Sequence, residues 1–533
     1  MSDDAFDDEV AAVTFDPDDE TVVVIIGSGA GGGTLAHELC AKGVDVVLLE
    51  AGPRYQLTDF DNDEYTMQAK LNWADRRIVQ GSGRIARDWP ESPTLVVKAV
   101  GGSTVHWAAV ALRGRPDDFR PRSVYGAIDG ADLIDWPLTY ADLDPYYAKA
   151  EDKLGVTGTN GIPPLPASNN FRLMAAGARQ LGYREVSPGH MAVNSMPRDG
   201  RNACDQIGFC MQGCRSGAKW STLYSEIPKA ESTGHLEVRP RCMALRVEHG
   251  TKGEATGVLY VDYAGIQHLQ KARVVAIAGN AIETARIMLN STSNSFPEGL
   301  ANSSGCVGKY YTRHMVGYGY GVFDKPVNFH RGTTCAGVVE DGRRHDDSRS
   351  FAGGYILGAM ALGLPLFAAF FAPGAWGQEF TADVEAYNYV CGIFANGEDM
   401  PMAGNSVGLH PTERDQYGLP VPLITINDHA NDVAMRNHAM KATCDIQLAA
   451  GARRIIECPP MPGSHNMGTA RMSATPRDGV CNQWGQTHDI PNLFVCDGSL
   501  FPTSGSGNPT LTIVALAIRE ADYLAAQMRT GAI

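Results

Sequence analysis

The sequence predicts an α/β protein built on a Rossmann-like parallel sheet, and three observations predict it. Val22–Ile26 is an unbroken apolar, β-branched run, as a strand buried on both faces requires. A glycine cluster follows at once (GSGAGG, with Gly27, Gly29 and Gly32), then a helical stretch, Thr34–Lys42, and a second apolar strand, Val44–Leu49, ending in Glu50. Two further strand-to-helix units occur late in the chain, at 273–289 and 493–528.

The first unit is a βαβ element with a dinucleotide fingerprint. Gly27 permits the tight turn, Gly29 lets backbone approach a pyrophosphate, and Gly32 lets the helix pack close to the strand. The helix N-terminus then offers free N–H groups and a partial positive charge to phosphate. Glu50, 18 residues after Gly32, stands where a carboxylate accepts from ribose hydroxyls.

At 533 residues the chain is too long for one simple core, so two or more domains are expected. The net charge is −15, and nine acids without a base fall in residues 1–20, leaving −6 on the rest. Residues 1–20 therefore read as a solvated acidic tail, and the charge balance argues against nucleic-acid binding. The start lacks a basic and apolar leader, which points to the cytoplasm, or to the periplasm through a partner that carries the signal. Nine of the 12 cysteines are scattered singly, so no disulfide framework is expected.

After Glu50, residues 55–95 read as polar and irregular. Leu95–Val100 leads into Gly101, Gly102, Ser103, Thr104, Val105 and His106, which on their own read first as a tight turn before a buried aromatic, and otherwise as a turn whose backbone can lie close to a flat or anionic ligand. A capped helix is expected around Tyr147–Leu154, followed by a linker at 156–167. Cys204, Cys210 and Cys214 follow at C-x5-C-x3-C spacing. Three thiolates this close can ligate a metal or an iron–sulfur cluster, and they can equally be three partly buried thiols. Structural zinc asks for four protein ligands, and no fourth is local; three suit a three-iron, four-sulfide (3Fe–4S) cluster.

Strands are expected at 236–239, 245–248 and 257–263. Arg273–Ala278 reads as the last parallel strand of the sheet begun at Val22, with a helix at Glu283–Leu289. Phe351–Gln378 carries no charge over 28 residues; Pro365, Pro373 and six glycines favour a buried strand or a lid over a membrane span. A strand at Leu419–Ile426 precedes a long helix, Ala430–Ala450. Then come Gly463–Thr469 (GSHNMGT), the strand Leu493–Cys496 ending in Asp497 and Gly498, and a helix opening at Pro509.

VVVIIGSGAGG…VVLLEAGP, VGGSTVHWAA, AGNAIETARIML, GSHNMGT and NLFVCDGSLFPTSGSGNPTLT together resemble the glucose–methanol–choline (GMC) oxidoreductases, in the family's order and over roughly residues 20–530. Within it the likeness is to bacterial sugar dehydrogenases, glucoside 3-dehydrogenase and pyranose 2-oxidase. The resemblance implies FAD and a discontinuous FAD-binding domain (21–115, 215–320 and 480–533). It also implies an interleaved α+β substrate domain on an antiparallel sheet (116–214 and 321–479), which holds the loop 204–214. It places Asp497 and Gly498 on the flavin pyrophosphate and ribityl, and the backbone of Pro509 and Thr510 on the isoalloxazine. His106 matches the histidine joined covalently to the flavin in some members. It favours a 3Fe–4S cluster on Cys204, Cys210 and Cys214, although Ile207 stands where some relatives carry a further Cys.

Alcohol oxidation needs a base for the hydroxyl proton, and the resemblance gives this role to His465, with Asn508 orienting the substrate oxygen. The expected function is an FAD-dependent dehydrogenase that oxidises a sugar, glycoside or other alcohol. Its electrons would leave through the cluster toward a small subunit or cytochrome partner. The alternatives are an O₂-using oxidase and a flavin-bearing lyase.

Overall fold

The computed structural model describes residues 15–71, 75–90, 94–371 and 374–533. Most of the expected acidic tail, residues 1–14, lies outside the described residues.

Five parallel strands form the first sheet, in the order Leu493–Val495, Val274–Ile277, Val23–Ile26, Val46–Leu49 and Leu236–Arg239. Val23 sits in register with both Val46 and Val274, and the central strand is buried throughout. The strand at 273–278 was expected to be the last of this sheet and is not. The C-terminal strand returns to pair outside it, because the chain leaves the sheet after Ile277 and comes back to the edge left open.

The first helix is Ala30–Cys40 and begins four residues before the expected start. Gly31, Gly32 and Gly33 look like helix breakers, yet all three lie inside the helix. A Cβ on Gly31 would strike the Cys496 carbonyl, one on Gly32 the Gly27 carbonyl, and one on Gly33 the Thr222 side chain at 2.7 Å. Close packing thus outweighs the helix penalty of glycine, about 1 kcal/mol each. Gly27 has φ +97°, a left-handed conformation that favours glycine.

The second large sheet is antiparallel and six-stranded: Arg454–Glu457, Met315–Val322, Val390–Gly397, Tyr355–Met360, Cys335–Val339 and Val186–Ser187. Met315–Val322 belongs wholly to this sheet, so the expected boundary at 320 cuts a strand. The helices Asn169–Gln180 and Ala430–Ala449 cover one face. Along Met315–Val322 the side chains alternate between faces. Gly317, Gly319 and Gly321 meet the long helix, where added Cβ atoms would press on Met440, Thr443 and Gln447. Val316 and Tyr318 point the other way, into a cavity.

The described part of residues 55–95 is more regular than expected, with helices Glu64–Leu71 and Arg84–Asp88. Its strand Ile78–Gln80 pairs with Pro420–Thr425. The capped helix runs Tyr140–Leu154, with Thr139 and Asp142 forming a reciprocal cap. The uncharged stretch 351–378 supplies the buried strand Tyr355–Met360 and the short helix Leu364–Phe371. Glu64 anchors that helix by accepting from Gly363 N (2.7 Å) and Leu366 N (3.1 Å). Among the described residues no helix is long and apolar enough to cross a membrane.

Candidate active site

A cavity of about 290 Å³ runs from the C-terminal ends of the parallel strands to the open face of the antiparallel sheet. Gly27, Gly29, Glu50, Gly102, Ser103, His106, Asp497, Gly498, Pro509 and Thr510 line it, as do His465 and Asn508. Gly32 and Gly101 stand behind its wall: Gly32 packs helix on strand, and Gly101 N donates to Ser28 Oγ at 2.9 Å.

Two features of this cavity suit a dinucleotide. The helix Ala30–Cys40 has no side-chain cap and no acid in its first turn, so its leading N–H groups open onto the cavity. The helix Thr510–Thr530 also starts at the cavity without a side-chain cap. Between the two glycine turns, Gly29 and Gly102 face each other: a Cβ on Gly29 would find nothing nearer than Gly102 Cα at 4.0 Å, and one on Gly102 would come within 2.9 Å of Gly29 Cα. Side chains there would fill the cradle.

The two acids are held by backbone. Glu50 accepts from Ser28 N (3.1 Å), Ser28 Oγ (2.6 Å) and Gly52 N (2.9 Å), and burial raises its pKa. Asp497 accepts from Asn280 N (2.9 Å), Thr284 Oγ1 (2.6 Å) and Ser499 N (2.8 Å), tying the helix Asn280–Asn290 to the end of the C-terminal strand. His106 is buried and its pKa falls to about 3, through burial and the nearby Lys219 charge, so the ring is neutral.

At the far end His465 Nε2 lies 3.3 Å from Asn508 Nδ2, while Asn508 Oδ1 is buried without a partner among the described residues. Burial pulls the His465 pKa well below its ordinary value, which keeps the imidazole free to take a proton. The turn bearing His465 is pinned by Asn466, whose Oδ1 accepts from Tyr311 Oη (2.5 Å) and Thr94 Oγ1 (3.0 Å). The remaining walls are largely apolar, with Trp107, Met211, Val316, Met360 and Phe394. Asn396, buried beside Val316 in the sheet, adds a carboxamide. Sequence reading missed Asn396 and also His314, which lies 2.8 Å from His465 Nδ1. Neither sits in a motif; only the two-residue alternation of the strand from Met315, extended back by one residue, gives His314 the parity of Val316 and Tyr318.

The three cysteines of the loop each accept a backbone N–H at sulfur: Gln206 N to Cys204 (3.4 Å), Thr334 N to Cys210 (3.4 Å) and Lys219 N to Cys214 (3.3 Å). Burial, then the neighbouring Cys210 and Cys214, push the Cys204 thiol up to about 12. Among the described residues no three His, Cys, Asp or Glu side chains converge on a point for one metal ion. Lys219 joins this loop to the cavity, its ammonium donating to Val105 O (2.8 Å), Trp107 O (2.9 Å) and Cys210 O.

Residues 24–316 and 401–517 match sequence families both described as GMC oxidoreductase. The chain belongs to the GMC oxidoreductase family, and is an FAD-dependent oxidoreductase. It is 32% identical to the 2-methyl-1,2-propanediol dehydrogenase of Mycolicibacterium austroafricanum, over 95% of each chain. It is 30% identical to the fructose dehydrogenase large subunit of Gluconobacter japonicus, over 96% of this chain and 98% of that one. The crystal structure of pyridoxine 4-oxidase from Mesorbium loti shares the fold, with a TM-score of 0.66 at 18% identity over 95% and 99% of the two chains.

Proposed function

We propose that this chain is an FAD-dependent dehydrogenase that oxidises a hydroxyl of a sugar, glycoside or other polyol to a carbonyl. The observation that carries the proposal is the His465–Asn508 pair, set at the end of a cavity that begins at uncapped helix N-termini. His465 Nε2 takes the hydroxyl proton, and the Asn508 amide holds the substrate oxygen. Bound FAD supplies the acceptor for the carbinol hydride. Asn396 offers a hydrogen bond to a second substrate hydroxyl, and the apolar walls exclude water. The diol and fructose named for two relatives fit that arrangement. Anaerobic titration with diols, sugars and glycosides, read at the flavin absorbance, tests this; a flavin that no alcohol reduces would favour a lyase. Peroxide release in air would mark an oxidase instead.

His106 is neutral, buried and in the cavity, which supports a covalent bond to FAD. Denaturation in acid is then expected to leave the yellow colour on the wild-type chain and to free it from His106→Ala. Colour released equally from both would refute the bond.

Cys204, Cys210 and Cys214 suit a 3Fe–4S cluster, because such a cluster gives each iron its own thiolate and does not need three sulfurs around one ion. The N–H groups aimed at the sulfurs stabilise thiolates. A bound cluster supplies one-electron transfer to a partner, a role in keeping with the subunit named for the fructose dehydrogenase. The purified protein is expected to hold iron and acid-labile sulfide in the cluster's ratio. Cys210→Ser is expected to lose both and keep FAD. Wild-type protein free of iron would remove the cluster from the reading.

A further inference from the structure

We infer that His314 is a positioning residue that fixes His465 in the one tautomer able to act as a base. The inference rests on the proposed role of His465 and adds the group behind it. His314 stands just before the strand Met315–Val322, buried, with its ring nearly perpendicular to that of His465 at 4.8 Å between centroids.

The protons can be assigned from the partners. His314 Nε2 is 2.9 Å from Gly505 O and 3.3 Å from Ser504 O. Carbonyl oxygens only accept, so Nε2 carries a proton. A neutral imidazole has one N–H, so His314 Nδ1 is a bare lone pair. That lone pair lies 2.8 Å from His465 Nδ1, which must therefore donate. His465 Nε2 is then bare, and it is the nitrogen beside Asn508 in the cavity. Two backbone carbonyls thus determine, through two rings, which face of His465 can accept a proton. When His465 is protonated its Nδ1–H keeps the same acceptor, so the imidazolium is stabilised without any movement.

The arrangement works only while His314 is neutral. A protonated His314 would donate through Nδ1 and force the proton of His465 onto Nε2, where it blocks the base. The surroundings prevent this. Burial, with Arg343 nearby, pulls His314 down to about 4. Arg343 itself is paired with Glu340 and Asp118, and its Nε is 3.3 Å from Ser506 Oγ. Arg313, next in the chain, is paired with Asp399.

The test has two parts. In wild-type protein labelled with ¹⁵N-histidine, the signals lost in His465→Ala are expected to show a protonated Nδ1 and a bare Nε2 for His465 at neutral pH. The opposite tautomer would overturn the inference whatever the variants do. His314→Phe, which removes the acceptor, is expected to keep its flavin and lose turnover on the order of 100-fold, with KM nearly unchanged. His314→Asn, which restores an acceptor oxygen near the Nδ1 position, is expected to recover most of that loss. A yellow, folded His314→Phe enzyme within about threefold of wild type would also overturn it. If instead His465→Ala turned over normally, the base would lie elsewhere, and the functional proposal would fail before this one.

Discussion

His465→Ala is expected to lose turnover by about 10²–10⁴-fold while the protein remains yellow. The residue removes the hydroxyl proton in the proposed reaction but does not line the glycine cradle, so binding of FAD and catalysis separate in this variant. The enlarged cavity admits water as a weak base, and the residual rate should rise with pH as hydroxide replaces the imidazole. Steady-state rates beside the flavin absorbance of the same sample check this. A near-normal rate would exclude His465 as the base.

Gly29→Asp is expected to give a folded, colourless protein. Gly29 has φ −66°, and a Cβ there makes only an ordinary van der Waals contact with Gly102 Cα at 4.0 Å, so the backbone accommodates a side chain. Aspartate is also a favourable N-cap, worth a few tenths of a kcal/mol more than glycine to the helix Ala30–Cys40. The new carboxylate would take the N–H groups proposed here to serve the FAD diphosphate and would repel its charge. Like-charge contact costs several kcal/mol, roughly a hundredfold or more in affinity. Circular dichroism and thermal melting should match the flavin-free wild type, while absorbance near the flavin band is absent. A variant purified with full flavin would show that the diphosphate lies elsewhere.

The parts of this site that could be read from sequence are those whose chemistry is local. Strand, glycine turn and helix follow one another between Val22 and Lys42, and the GSHNMGT and GNPTLT motifs each carry their own polar residue. The three cysteines fall within eleven residues. What was not legible depends on contacts between distant segments. The helix starts at Ala30 because two of its glycines fit against Cys496 and Thr222, which no window around residue 30 contains. The order of the parallel sheet depends on a strand that arrives more than 200 residues after the one it borders. His314 and His465 are 151 residues apart, and a histidine ahead of an apolar strand looks like any other.

The glycine row at 317, 319 and 321 separates two kinds of change in this enzyme. Against the long helix there is no spare volume, so that face tolerates almost no exchange. Positions 316, 318 and 396 line the cavity on the other face and make no contact with that helix through a glycine seat. Substrate preference can therefore drift, by natural variation or by directed evolution, through a handful of even-numbered positions, with little cost to the architecture that supports them.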